Sequence, residues 1–288
     1  MSETGPHRHF RSLYRQSDPG SRVNEDLCGL HAGYGWIVDG ATGVSGGKAT
    51  PGPSDAAWLA NTIGASLSRL TVAGTSIGAV LATLESAVAA AFQGLAPAIP
   101  DADPGPAACL GLLALLADSE GLLLHGALLG DVVALVPTAG GIVRWTDERA
   151  KPFEKRTLAS LDLSGRSEPG LLPEAVRLQI LENRRQLNRP DGYWVVQPQR
   201  PWAGRELTFE ARIKPGQPVV LATDGFMRLT DVFGAYTDAD LYAALAEGRG
   251  ASLMAELRDL ERRDSMAANF PRVKTHDDAT VLVLEVEA

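Results

Sequence analysis

Cysteine is nearly missing: Cys28 and Cys109 are the only two in 288 residues. Two thiols cannot build a disulfide framework or a cysteine-rich zinc site. Both lie in apolar stretches, where a thiol reads as buried and inert. An excess of positive charge is missing too. The 27 Lys and Arg stand against 35 Asp and Glu, a net charge of −8. That balance excludes broad nucleic-acid binding, because the phosphate backbone needs a basic face. Long apolar runs are also lacking. The most apolar stretch, 108–117, falls far short of the roughly 20 residues that span a bilayer. The start of the chain is polar, with no apolar signal core. A cytoplasmic protein with no membrane partner is expected. No Ser/His/Asp or reactive-cysteine pattern offers a protein nucleophile.

Apolar residues make up 45% of the chain, enough for a substantial core. No Pro/Ser linker separates its motifs, so residues 1–288 read as one domain, with 1–20 polar and expected to be loose. Strands are expected at 27–30 and 34–39. After a Gly/Pro-rich segment, Ser54 reads as an N-cap, with Leu59, Ile63, Leu67 and Leu70 at helical spacing. A second helix is expected from Thr75 or Ser76, and 95–106 is a Pro/Asp-rich loop. Four apolar runs at 108–117, 122–128, 132–136 and 142–145 read as an antiparallel meander, since their connections are too short for crossover helices. Further strands are expected at 193–196, 208–213, 219–223 and 280–286, and helices near 173–187, 238–246 and 252–262. This order points to an α+β layered sandwich.

The chemistry-bearing pattern is acidic. Asp39-Gly40 closes the apolar run 35–38, and Asp224-Gly225 closes 219–223. A strand ending in Asp-Gly places a carboxylate at a sheet edge and lets the backbone turn there. Glu25-Asp26 and Asp277-Asp278 add further acids. A fold that gathers them holds hard divalent cations, which prefer carboxylate oxygen. Each also has a plain structural reading: Asp-Gly as a turn, Asp277 as a strand-entry cap, Asp131 as a β-turn cap, Arg22 as a solvated charge. His276 adjoins Asp277 and is the histidine that sequence proximity offers as a proton donor, or else a solvated loop residue. Gly46-Gly47-Lys48 invites a phosphate-loop reading, but Thr42 and Ala49 stand where that motif needs Gly and Ser/Thr. Residues 149–189 hold nine Arg/Lys against five acids, a local basic insertion.

Together these motifs are similar to those of the metal-dependent Ser/Thr phosphatases of type 2C, in their bacterial style. Arg22-Val23-Asn24-Glu25-Asp26, Trp36-Ile37-Val38-Asp39-Gly40, Leu129-Gly130-Asp131, Leu221-Ala222-Thr223-Asp224-Gly225-Phe226 and Asp277-Asp278-Ala279-Thr280-Val281 follow that family's order. The resemblance implies a four-layer αββα sandwich, two antiparallel β-sheets flanked by helices, with a binuclear metal site at one edge. It implies two Mn²⁺ or Mg²⁺ ions, with a third ion open. Asp39 would bridge them, the Gly40 carbonyl would bind one, Asp224 and Asp277 would hold one, and Glu25 and Asp26 would serve the other. Asp39, Asp224 and a phosphate-binding Arg22 would carry catalysis, with a metal-bridging water attacking phosphoserine or phosphothreonine. The implied partner is a phosphorylated protein, the target of a Ser/Thr kinase, and 149–189 corresponds to the family's flap. Two other readings stay open: a weak or inactive phosphatase-fold module that binds phosphoproteins, and a phosphatase of small metabolites. The chain departs from the family at Arg22, three rather than four residues before Glu25. It also departs at Ala41-Thr42 in place of His-Gly, at Val132 in place of Ser, and at Arg228, where many members carry another acid.

Overall fold

Ser54 and Ser76 start the first two helices. The Ser54 hydroxyl accepts the Ala57 N–H at 3.1 Å, and the Ser76 hydroxyl accepts the Ala79 N–H at 3.3 Å. The structure, a computed structural model, describes residues 9–44, 47–95, 105–161 and 172–287. Its strands are β1 (Phe10–Asp18), β2 (Asp26–His31), β3 (Tyr34–Gly40), β4 (Ala108–Asp118), β5 (Gly121–Leu129), β6 (Val133–Thr138), β7 (Gly141–Trp145), β8 (Leu207–Ile213), β9 (Val219–Ala222) and β10 (Ala279–Val286). Its helices are α1 (Asp55–Leu70), α2 (Ile77–Gln93), α3 (Lys151–Ala159), α4 (Glu174–Arg185), α5 (Asp224–Asp231), α6 (Asp238–Ala246) and α7 (Gly250–Arg263).

The strands form two antiparallel sheets, in the orders β2-β3-β4-β5-β8 and β1-β10-β9-β6-β7. Their alternation explains the near-continuous apolar runs, since both faces of each central strand are covered. In β3, Trp36 and Val38 pack under α1 and α2 with Leu59, Ile63 and Leu84, while Ile37 faces the other sheet. In β10, Val281 and Val283 pack with Phe226, Leu241 and Leu257 of α5, α6 and α7, while Leu282 and Leu284 face the first sheet. The layers are therefore helices, sheet, sheet, helices, the αββα order expected.

Several local expectations are corrected. The runs from 108 to 145 are not one meander. β4–β5 belong to the first sheet and β6–β7 to the second. Gly130 makes that step between layers: its φ is +76°, and a side chain there would collide with Cys109. Residues 10–18 are not loose but form β1, an edge strand paired with β10 from Phe10↔Val286 to Asp18↔Ala279. The expected strand at 193–196 is only a single bridge, Ala108↔Val196. Asp224 does not sit in a turn; it opens α5. The basic segment holds α3 as well as the expected helix, observed as α4. Residues 1–8, 45–46, 96–104 and 162–171, within the expected loose start, glycine-rich stretch, Pro/Asp-rich loop and flap, lie outside the described residues.

Asp264 closes α7 and shapes the loop that leads to Asp277. Its carboxylate accepts the N–H groups of Ala268, Asn269 and Phe270 at 3.0, 3.1 and 3.1 Å, and Arg272 Nη1 at 2.7 Å. Burial by itself raises its pKa, but these donors outweigh that and bring it down to about 2. A carboxylate held below its unfolded value stabilises the fold above the ordinary carboxylate range. That contribution is lost as pH falls through the folded value. Asp264→Asn is therefore expected to lower the urea midpoint at pH 7, with the gap to wild type closing as pH approaches 2. An equal gap at both pH values would contradict this assignment.

Candidate metal centre

The site grows from strand ends that meet at one edge of the sandwich. Asp26, at the start of β2, pairs with Asp39, near the end of β3. In the second sheet, β9 ends just before Thr223 and Asp224, and β10 begins just after Asp277 and Asp278. Thr223 ties the two sheets together. Its N–H donates to the Thr280 carbonyl at 3.0 Å, its hydroxyl accepts the Thr280 N–H at 2.9 Å, and that hydroxyl donates to Asp26 Oδ2 at 2.9 Å. Asp278 ties in the incoming chain by accepting the N–H groups of Gly20 and Glu25 at 2.8 and 2.7 Å.

Gly225 is required by contact rather than by φ. A Cβ there would overlap the Asp278 carbonyl oxygen. Gly225→Ala must push α5 and the 277–278 loop apart, at a cost of roughly 1–3 kcal/mol. Its urea midpoint is expected to fall accordingly, and a midpoint equal to wild type would show that the two segments yield freely.

The electrostatics are those of crowded carboxylates. Burial, then the charges of Asp26, Asp224, Asp131 and Asp277, push the Asp39 carboxyl well above its usual range. Burial and the charges of Asp224 and Asp278 raise Asp26 likewise, against hydrogen bonds from Thr223 and Thr280. Asp224 is exposed as a residue, yet its carboxyl is crowded by neighbouring atoms. Burial, Asp277 and Asp131 raise it to about 7, and it shares a hydrogen bond with Asp39. Glu154 of α3 reaches the same cluster. Burial, the Asp131 charge and a hydrogen bond to Asp131 raise it to about 9.

Two predicted ligands are differently placed. Asp277 has both oxygens engaged: Arg228 Nη2 lies 2.7 Å from Oδ2, and Lys274 Nζ lies 2.7 Å from Oδ1. Burial alone would raise its pKa, but the Lys274 and Arg228 charges outweigh that and lower it. Glu25 is buried, its oxygens bonded by the Ser54 hydroxyl at 2.5 Å and by the Thr42 hydroxyl. Gly40 stands beside it, donating its N–H to the Glu25 carbonyl at 3.2 Å. Among the described residues, no three His, Cys, Asp or Glu side chains converge tightly enough to cage one ion. The chemistry of the donor set still fits a hard divalent cation. Burial and one another's charge push the carboxyls of Asp26, Asp39 and Asp224 up, and a dication offsets both costs.

Arg22 is exposed and makes no hydrogen bond or ion pair among the described residues. His276 turns away from the acids, its Nδ1 2.9 Å from Glu261 Oε2 on α7. Burial pushes the Cys109 thiol well up, with Asp131 and Asp39 adding to it, which disfavours the reactive thiolate. Sequence reasoning missed Glu154, Lys274 and the hub at Thr42. The Thr42 hydroxyl accepts Lys274 Nζ at 3.0 Å, and its carbonyl accepts Arg184 of α4. Lys274 was findable, because it stands three residues before Asp277; Glu154 left no local signal.

No protein-family model matches the chain, and no curated protein matches it. Solved structures do. It is similar to the serine/threonine phosphatase Stp1 of Staphylococcus aureus, with 16% identity, a TM-score of 0.59, and coverage of 100% of this chain and 98% of that one. It is similar to the serine/threonine phosphatase PstP/Ppp of Mycobacterium tuberculosis, with 18% identity, a TM-score of 0.57, and coverage of 97% and 100%. A PstP catalytic domain in complex with two manganese ions matches with 15% identity and a TM-score of 0.53, covering 98% and 100%. In its two antiparallel sheets and flanking helices, this chain has the fold of the bacterial PPM-type Ser/Thr phosphatases.

Proposed function

We propose that this chain is a divalent-metal-dependent phosphatase that hydrolyses phosphoserine and phosphothreonine in proteins. The observation that carries the reading is the set Asp26, Asp39 and Asp224, whose carboxylates crowd at one edge of a phosphatase-like sandwich. Two Mn²⁺ or Mg²⁺ ions bound there lower the pKa of a water and neutralise charge on the phosphoryl group. In this reading Asp39 would bridge the two ions and the Gly40 carbonyl would bind one of them, with Asp224 and Asp277 holding one ion and Glu25 and Asp26 serving the other. Asp277 must exchange its protein cations to take that role, while Thr223 fixes the Asp26 carboxylate. The basic segment 149–189, whose α4 is anchored to Thr42, would offer positive charge to a phosphoprotein partner. Phosphoproteins made by a Ser/Thr kinase in the cytoplasm are the expected substrates. Among the described residues no helix is long and apolar enough to cross a membrane.

A second reading rests on one observation: Asp277 is already neutralised by Lys274 and Arg228. That favours a phosphatase-fold module that binds phosphoproteins without hydrolysing them. Hydrolysis of an aryl phosphate and of a phosphothreonine peptide, with and without Mn²⁺, separates the two. Metal-dependent turnover of the peptide supports the enzyme. Folded protein with no turnover of either substrate, yet binding the peptide, supports the module. Preference for small phosphorylated metabolites over the peptide would move the substrate class.

A further inference from the structure

We propose that Lys274 binds the phosphoryl group of the substrate, the task that motif order assigns to Arg22. The proposal deepens the phosphatase reading above and rests on it for the identity of the substrate. An ammonium carries three N–H donors. Two are used, one on Asp277 Oδ1 at 2.7 Å and one on Thr42 Oγ1 at 3.0 Å. The third has no partner among the described residues, and the side chain is 43% exposed. Lys274 thus stands beside the acidic cluster, within reach of the charges of Asp277, Asp224 and Asp39, with one donor left over.

Among the described residues, three other cations compare poorly with it. Arg228 is buried, with Nη1 on Glu261 Oε1 at 2.8 Å and Nη2 on Asp277. Arg184 is committed to the Thr42 carbonyl. Arg22 is exposed and makes no hydrogen bond or ion pair with the cluster among the described residues. A dianionic phosphate ester entering among these carboxylates meets repulsion that a fixed positive charge at its rim offsets. Lysine suits this task as a compact charge on a flexible stem, able to leave Asp277 for a phosphoryl oxygen.

The test is calorimetric titration of inorganic phosphate into Mn²⁺-loaded wild type, Lys274→Met, Lys274→Arg and Arg22→Met, with Mn²⁺ titrated separately and thermal melts to confirm folding. A charged hydrogen bond of the usual strength predicts about tenfold weaker phosphate binding in Lys274→Met. Lys274→Arg is expected to recover part of that loss, and Arg22→Met to lose less than Lys274→Met. Where turnover is present, KM should rise more than kcat falls. Unchanged phosphate binding in Lys274→Met would overturn the proposal, as would a larger loss in Arg22→Met. Tighter Mn²⁺ binding with phosphate affinity unchanged would also overturn it, leaving Lys274 as a mere counter-ion of Asp277. If the wild type hydrolyses no phosphoester but its phosphate binding still depends on Lys274, the enzyme reading falls and the binding role stands.

Discussion

Asp39→Asn is expected to lower metal-dependent phosphoester hydrolysis by about 10²–10³-fold, the scale of losing one preorganised charge from such a centre. Asp39 is the residue on which the charges of Asp26, Asp224, Asp131 and Asp277 all act. Removing its charge therefore weakens the attraction for a dication at the point where these charges meet. The same substitution has an opposite effect on the empty protein. An acid whose folded pKa is raised penalises folding once pH exceeds its unfolded value, and the penalty grows until pH reaches the folded value. At pH 8 without metal, Asp39→Asn should melt higher than wild type. With saturating Mn²⁺ the order should reverse, because wild type gains binding energy that the variant lacks. Asp224→Asn should follow the same pattern. Hydrolysis unchanged by both substitutions, or melting curves that never cross, would remove these residues from the centre.

Glu261→Ala is expected to destabilise the fold by about 3–5 kcal/mol, the usual result of orphaning a buried charge. Glu261 is fully buried and accepts Arg228 Nη1 at 2.8 Å, Arg258 Nη1 at 2.7 Å and His276 Nδ1 at 2.9 Å. Arg258 in turn holds Asp18 at the end of β1, with Nε 2.7 Å from Oδ1. Arg228, itself buried, would keep only Asp277. Glu261→Gln keeps the shape and one acceptor and should cost less. Urea unfolding at pH 7 reads both variants, and a loss under about 1 kcal/mol in Glu261→Ala would mean that water replaces the carboxylate.

What was legible in the sequence was local. The strand ends at Asp39 and Asp26, the caps at Ser54 and Ser76, and the helical spacing of Leu59, Ile63 and Leu67 all show in short windows, because period and capping are short-range effects. β1 did not show. An edge strand exposes most of its side chains, and Arg11, Ser12, Arg15 and Gln16 mask any alternation. α5 did not show because Asp-Gly reads as a turn, and only the close approach to Asp278 explains a glycine inside that helix. The partition of β4 to β7 between two sheets depends on the layer each covers, which no window contains. The ion-pair chain through Asp18, Arg258, Glu261, Arg228 and Asp277 was least legible, since it joins residues up to 259 positions apart, from Asp18 to Asp277. Its members carry no motif, yet they decide the charge that Asp277 presents.

The pairing of β1 with β10 sets an order in time as well as in space. Phe10 and Val286 are partners, and Asp278 fastens Gly20 and Glu25. On the ribosome, Asp26 and Asp39 emerge well before β10, whose arrival closes their surroundings. Contacts of such long range make folding slow and leave the growing chain dependent on protection. The acidic edge needs β10 beside β9 as well as β2 beside β3, so a chain cut before Asp277 holds only part of it.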